Sequence, residues 1–242
     1  MNRVFASVLI YLDNNINKIL QLDDAESIHK IFDIYKNPYQ IYFNQDYTLL
    51  TSACVGNCFQ AVKDLLEIGA DPNVQDNNFL TPLIIVAHYG YIDILDLLLD
   101  KKYKTDPDKI INQDIELGTA LHVSCRVNNI DVVSRLINAG ANVNLKNNLG
   151  KTPLHESVSP EILDLLYLNG ADINQQDSKE YTPLMVAINE NFLTGILRLF
   201  SYGCEMDVET LVSKTHLRYI DEEIYKNTIE DYDSIEEIKN LI

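Results

Sequence analysis

The stretch from Gly118 to Val158, GTALHVSCRVNNIDVVSRLINAGANVNLKNNLGKTPLHESV, restarts before it ends: Thr119 opens TALH, and Thr152, 33 residues later, opens TPLH. A restart at that period marks a stacked-repeat protein, in which each unit buries its apolar face against its neighbour instead of closing a core of its own. Thr152 is suited to cap a helix, and Pro153 to fill the first helical position, where a missing N–H costs nothing, so a short helix is predicted there. Leu154, Ser157 and Val158 repeat Leu121, Ser124 and Cys125 as the small or apolar face of that helix. A second apolar run, Ile130, Val132, Val133, Leu136 and Ile137, has helical spacing and stops at Asn138-Ala139-Gly140. Gly140 is expected in the left-handed conformation that closes the second helix, and the polar residues 142–148 are expected to turn back toward the next Thr.

Working outward, Thr48, Thr81, Thr119, Thr152 and Thr182 hold the same place in five copies. Three copies close on Gly69-Ala70-Asp71, Gly140-Ala141-Asn142 and Gly170-Ala171-Asp172. Helix, turn, helix, Gly and polar finger, at this period and with T-P-L-H at the start, resembles the ankyrin repeat. The resemblance covers roughly residues 46–207. It implies an all-α solenoid of stacked helix-turn-helix units with polar β-hairpin fingers. Residues 1–45 are then expected to be N-terminal capping helices of a degenerate repeat, residues 46–207 the five repeats, and residues 208–242 acidic C-terminal capping helices.

The copies depart from the frame in three places. The first has Leu49 where Pro is usual and Thr51 where His is usual, which predicts a weakened helix start. Thr81 and Thr119 are 38 residues apart, with the surplus assigned to Lys101–Lys109 and no Gly cap before it. Thr152 and Thr182 are only 30 apart, the shortfall falling at Ser159-Pro160-Glu161. Ser159 can cap and Pro160 can start a helix, so both helices of this fourth copy are expected to survive across a tighter junction.

Composition narrows the function. The net charge of −17, without a basic block or a Gly-rich phosphate loop, argues against nucleic acid and fits a partner protein with a basic surface. No stretch is long enough to span a bilayer, and the apolar start at Val4–Leu12 breaks at Asp13-Asn14-Asn15 without a small-residue cleavage site. Cys54 and Cys125 stand at small packing positions, Cys204 replaces the Ala after a capping Gly, and Cys58 falls at a helix turn; neither zinc spacing nor a disulfide framework emerges. A reducing compartment, the cytoplasm or the nucleus, and a monomeric chain without cofactor are expected. No catalytic motif is present, and His122 and His155 fall where the resemblance implies a loop-ordering role, so no enzyme activity is expected.

The resemblance also implies where a partner would touch: the finger residues before each Thr and the end of each first helix, lining a concave face. Carried over by register, these are Asn44 and Tyr47 before the first copy. In the second they are Asn77, Asn78 and Leu80, with His88 and Tyr89 at the helix end. Glu116 and Arg126 follow in the third, Asn148 and Lys151 in the fourth, and Lys179, Tyr181 and Asn189 in the fifth. Tyr47, Tyr89 and Tyr181 are the aromatic anchor candidates. A protein-protein interaction module is therefore expected, acting as an inhibitor or by capturing a host factor. The Asn-, Ile-, Asp- and Tyr-rich wording points to an AT-rich genome, the setting in which poxviruses, protists and intracellular bacteria use ankyrin proteins that way. The alternative is a substrate adaptor of a multi-subunit enzyme such as a ubiquitin ligase, docking through the C-terminal segment.

Overall fold

The computed structural model describes residues 42–43, 47–109 and 118–205. The capping segments expected at the two ends, apart from Tyr42 and Phe43, lie outside these residues. A short antiparallel finger, β1 (Tyr42–Phe43) with β2 (Tyr47–Thr48), leads into α1 (Leu49–Val55) and α2 (Phe59–Glu67). Then follow α3 (Pro82–Tyr89), α4 (Ile92–Leu98), α5 (Ala120–Arg126), α6 (Ile130–Asn138), a 3-10 turn (Pro153–Glu156), α7 (Pro160–Leu168), α8 (Pro183–Asn189) and α9 (Leu193–Ser201). The first element of each unit packs on its counterparts to form an inner row, α1, α3, α5, the 3-10 turn and α8. The second elements form an outer row, α2, α4, α6, α7 and α9. The core lies between the rows, and one column of it, Leu65, Leu98, Leu136, Leu166 and Leu199, is at most 1% exposed in any unit.

The repeated Thr starts each helix by hydrogen bonding. Hydroxyls of Thr48, Thr81, Thr119 and Thr182 accept the N–H of the residue three places on, at 3.1, 3.3, 3.5 and 3.4 Å. The first unit does not fray as its sequence suggested. Thr51 is fully buried, and its hydroxyl accepts the Thr48 N–H at 2.8 Å, completing the reciprocal cap that His supplies elsewhere. In every unit but the fourth, the chain turns nine residues after the Thr through a left-handed residue, Asn57, Gly90, Asn128 or Asn191. The outer helices close on Gly69, Gly140, Gly170 and Gly203, all with positive φ, as read from the sequence for Gly140. In the second unit Lys104, with φ of 56°, takes that place.

A ladder of Asn and Asp side chains joins the units below these caps. Asn73 donates through Nδ2 to the Lys104 carbonyl at 3.2 Å and accepts the Asp106 N–H at 2.7 Å. Asn144 repeats both bonds with Gly170 and Asp172, each at 2.8 Å. Asp108 accepts from Asn142, and Asn174 from Glu205, again at 2.8 Å. These rungs divide the five-residue surplus of the second unit. Thr105 caps Leu98 from seven residues away, where Ala70 caps Leu65 from five, so two extra residues precede the cap. The other three fall between Asp108 and Thr119, and not within Lys101–Lys109 as the spacing alone suggested.

In the fourth unit the expectation of two intact helices fails. Ser159 caps α7 through the Ile162 N–H at 3.3 Å with Pro160 in the first position, as expected. The first helix, however, is reduced to the four-residue 3-10 turn. The missing residues are those that would make its last turn and left-handed corner. With them gone, the chain must run extended through Ser157 and Ser159 (ψ of 129° and 147°) to reach the cap of α7.

Candidate functional site: the inner face and its cleft

The fingers share one local device. Asp76, Asn147 and Asp177 each accept, through Oδ1, the N–H groups two and four residues on, at 2.8 to 3.0 Å. A backbone bond across the same loop, such as Asn147 N–H to the Lys151 carbonyl at 2.9 Å, closes each finger without a longer strand ladder. That geometry leaves Asn77, Asn78, Asn148 and Lys179 exposed at the tips. Asn44 and Glu116 lie outside the described residues, as does the side chain of Tyr47.

The corner of each unit ties to the next finger through histidine. In the third unit the Thr119 N–H donates to His122 Nδ1 at 3.2 Å, which leaves Nε2–H to donate to the Lys151 carbonyl at 3.0 Å. His155 repeats this with Thr152 at 3.1 Å and the Tyr181 carbonyl at 3.0 Å. Burial pushes the His122 imidazole down to about 4 and lowers His155 as well. Both rings are neutral struts with both nitrogens engaged. Burial likewise pushes the Cys54 and Cys125 thiols far above their usual range, leaving them inert packing groups.

Of the three tyrosines singled out by register, Tyr89 is 54% exposed. Its ring stacks on Tyr91 at 5.4 Å and meets the exposed His88 edge-on at 5.0 Å, making an aromatic ridge at the end of α3. Tyr181 and Leu80 are half-buried and packed against the core, and Asn189 is half-buried at the end of α8.

Arg126 and Lys151, read as partner contacts, converge on an internal carboxylate. Glu156 is 8% exposed at its side chain; its Oε2 accepts from Arg126 Nε at 3.0 Å, and its Oε1 lies 3.7 Å from Lys151 Nζ. Sequence reasoning missed Glu156, although a signal was present. It stands four residues after its Thr, in a column otherwise filled by Ser52, Ile85, Val123 and Val186. Beside it, where the lost turn would have been, opens a cleft of about 420 Å³. Val158, Leu163, Val186, Phe192 and Leu199 give it apolar walls, and Glu190 stands among the lining residues with Arg126, Lys151 and Glu156. Among the described residues no group of three His, Cys, Asp or Glu could hold a metal, and no helix is long and apolar enough to cross a membrane.

Two parallel rows of short helices, joined by finger loops and side-chain rungs from unit to unit, define a helical repeat solenoid. The family model for ankyrin repeats (3 copies) matches residues 22–111, 49–147 and 83–177, and the chain belongs to the ankyrin repeat family. It is 34% identical over 178 residues to an ankyrin repeat protein of fowlpox virus, an alignment covering 69% of this chain and 50% of that protein. It is 31% identical over 138 residues to the probable 26S proteasome regulatory subunit p28 of Saccharomyces cerevisiae, covering 55% of this chain and 59% of p28. Neurogenic locus notch homolog protein 1 of Mus musculus is 34% identical over 129 residues, 52% of this chain but 5% of that protein. The chain thus spans half of the first of these relatives and 59% of the second. Ankyrin repeats are protein-protein interaction modules.

Proposed function

We propose that this chain binds a partner protein across its inner face, using the finger tips and the ends of the inner helices, and acts as an inhibitor or as a protein that captures a host factor. The observation that carries the reading is the His88-Tyr89-Tyr91 ridge. It is a preorganised aromatic cluster, with Tyr89 more than half exposed, at a position where the inner row faces outward. A net charge of −17 favours a partner with a basic surface and speeds its encounter. The likeness to a fowlpox virus ankyrin protein supports the host-factor form of the reading.

The test is capture from source-cell lysate with wild type, Tyr89→Ala and Leu168→Ala side by side. Leu168 is 79% exposed on the outer row and serves as the control surface. The partner is expected to be lost with Tyr89→Ala and retained with Leu168→Ala; loss with neither or only with the second overturns the inner-face reading.

A second reading, a substrate adaptor of a multi-subunit enzyme, is favoured by the similarity to p28, which is named a probable regulatory subunit of the 26S proteasome. In it the repeats bind the target and residues 208–242 dock the machinery. Residues 205–242 carry eleven acids against four Lys or Arg, a charged segment suited to a basic docking surface. Removing residues 208–242 then abolishes capture of the machinery while capture of the target persists.

A further inference from the structure

We propose that the edge where the inner helices turn into the outer helices docks a basic amphipathic helix of the bound protein, with apolar residues every seven positions and Lys or Arg along its flanks; this deepens the inner-face reading and rests on it. Eight large apolar side chains are exposed among the described residues, and six of them stand on this one edge. Val55 ends α1 and Phe59 begins α2, and Tyr89 ends α3. Val127 and Ile130 flank the corner of the third unit, and Val158 lies in the extended junction of the fourth. They are between 37% and 54% exposed. Single exposed apolar side chains are ordinary, but a row that continues from unit to unit marks an interaction surface.

Charge chooses the occupant. The carboxylates at these corners, Asp93, Asp131, Glu161 and Glu190, are all exposed, and none has an ion pair among the described residues. The one Lys or Arg there, Arg126, is half-buried and held by Glu156 at 3.0 Å. By contrast, Asp96 and Asp164, one turn further along the outer helices, are matched by Arg135 at 2.7 Å and Arg198 at 3.2 Å. Asp93, Asp131 and Glu161 hold the second position of α4, α6 and α7, where a negative charge favours the helix. Glu190 follows the last residue of α8, the end at which that sign is disfavoured, so helix electrostatics does not account for the whole row. A cationic partner is attracted by all four, whereas an anionic one, the acidic residues 205–242 of this chain included, is repelled. Spacing then chooses a helix. Packed helices lie about 8–10 Å apart, and seven residues of α-helix rise about 10.5 Å, so one residue per heptad meets each unit on the same face. The row is also two side chains wide, Val55 with Phe59 and Val127 with Ile130, which suits the broad apolar stripe of a helix better than the thin ridge of an extended chain.

Designed peptides test the edge without any partner. The probe is a dye-labelled helix of three heptads, with Leu at the first and fourth place of each and Lys and Ala elsewhere, followed by fluorescence anisotropy. One twin has Glu for every Lys, and another has the same residues shuffled so that the apolar stripe is lost. The full chain is used as wild type, as Val127→Ser with Ile130→Ser, as Asp131→Asn with Glu161→Gln, and as Glu67→Gln with Glu205→Gln. The last pair lies away from the corners and changes the net charge by the same amount as the second. All six substituted residues are exposed, so the fold is expected to hold, as circular dichroism checks. The expected result is that the basic peptide binds wild type and the two twins do not. Its affinity should fall at least tenfold with Val127→Ser and Ile130→Ser, at least threefold with Asp131→Asn and Glu161→Gln, and not at all with Glu67→Gln and Glu205→Gln. Equal weakening by the two charge pairs overturns the edge in favour of the net charge, and equal binding of the shuffled twin overturns the amphipathic helix. Affinity unchanged in Val127→Ser with Ile130→Ser overturns the apolar row, and no binding of the basic peptide overturns the proposal whole. Any of these results, with partner capture still lost in Tyr89→Ala, leaves the inner-face reading standing.

Discussion

The third and fourth units begin alike and end alike but differ in the middle. Both have a Thr whose N–H meets a buried His, and both Nε2 atoms reach the next finger at 3.0 Å. Both outer helices run nine residues and close on a left-handed glycine, Gly140 or Gly170. Between these points the third unit has a seven-residue helix and the fourth a four-residue turn, yet the stack continues without a break. Stacking register is therefore held by the Thr-His corner, the outer helix and the Asn ladder. The second turn of an inner helix is dispensable to the stack, and its absence is what opens the cleft beside Glu156.

The comparison is broken most strongly through its shared corner. His122 binds its proton near 4 in the folded chain against 6.5 when free, so the fold favours the neutral ring. Stability is then complete above pH 6.5 and falls as the unfolded chain gains protons on the way down to about pH 4, by about 3 kcal/mol from this residue at 1.36 kcal/mol per unit. His155, lowered for the same reason, adds in the same direction. Urea midpoints measured across this window should fall with pH, and fall less steeply in His122→Gln, where only His155 remains; a midpoint that does not move would show that the corners are not the joint they resemble.

Next in size is the ion pair that links the two units. Arg126→Met strips Glu156 Oε2 of its donor and should cost about 2 kcal/mol, the range for hydrogen bonds to charged groups. Arg135→Met on the outer row breaks an exposed pair with Asp96 and should cost under about 1 kcal/mol. Equal losses in chemical denaturation would mean that the inner pair is as solvated as the outer one.

Gly140→Val should cost about 1–2 kcal/mol, the penalty of a side chain in a left-handed residue. An added Cβ meets nothing within 4 Å, so the loss is conformational and should appear in hydrogen exchange around units three and four before the ends. The smallest effect is a gain. Glu180, with φ of 65°, sits where Gly150 stands in the preceding finger, and Glu180→Gly should stabilise by up to about 1 kcal/mol, read as a higher melting temperature.

Most of the fold was legible because its signals are local. Thr and Pro start helices, Gly and Asn end them, and the apolar column needs only the period. The fourth inner helix was misread because Thr152 and Pro153 announce a start, while the length that follows depends on residues no longer there. The insertion was placed only in part, two of its five residues falling within Lys101–Lys109, because its boundaries are set by bonds such as Asn73 to Asp106, made between units. In the site, the tips Asn77, Asn78, Asn148 and Lys179 and the ridge at His88 and Tyr89 are exposed as register implied. Arg126 turns to Glu156 of the next unit, Lys151 turns to the same acid in its own unit, and Tyr181 packs on the core, because a fixed protein partner outcompetes solvent. An acid in an apolar column was the one sign of that, and it was readable at Glu156.

The ladder has a consequence for descent. Each rung grips a carbonyl or an N–H of the next unit's backbone and ignores how many residues lie between grips. A gene can therefore gain codons before Lys104 or lose them before Pro160, and the neighbouring units still meet on the same rungs. Lineages carrying such arrays are free to vary the depth of one face while inheriting the other unchanged.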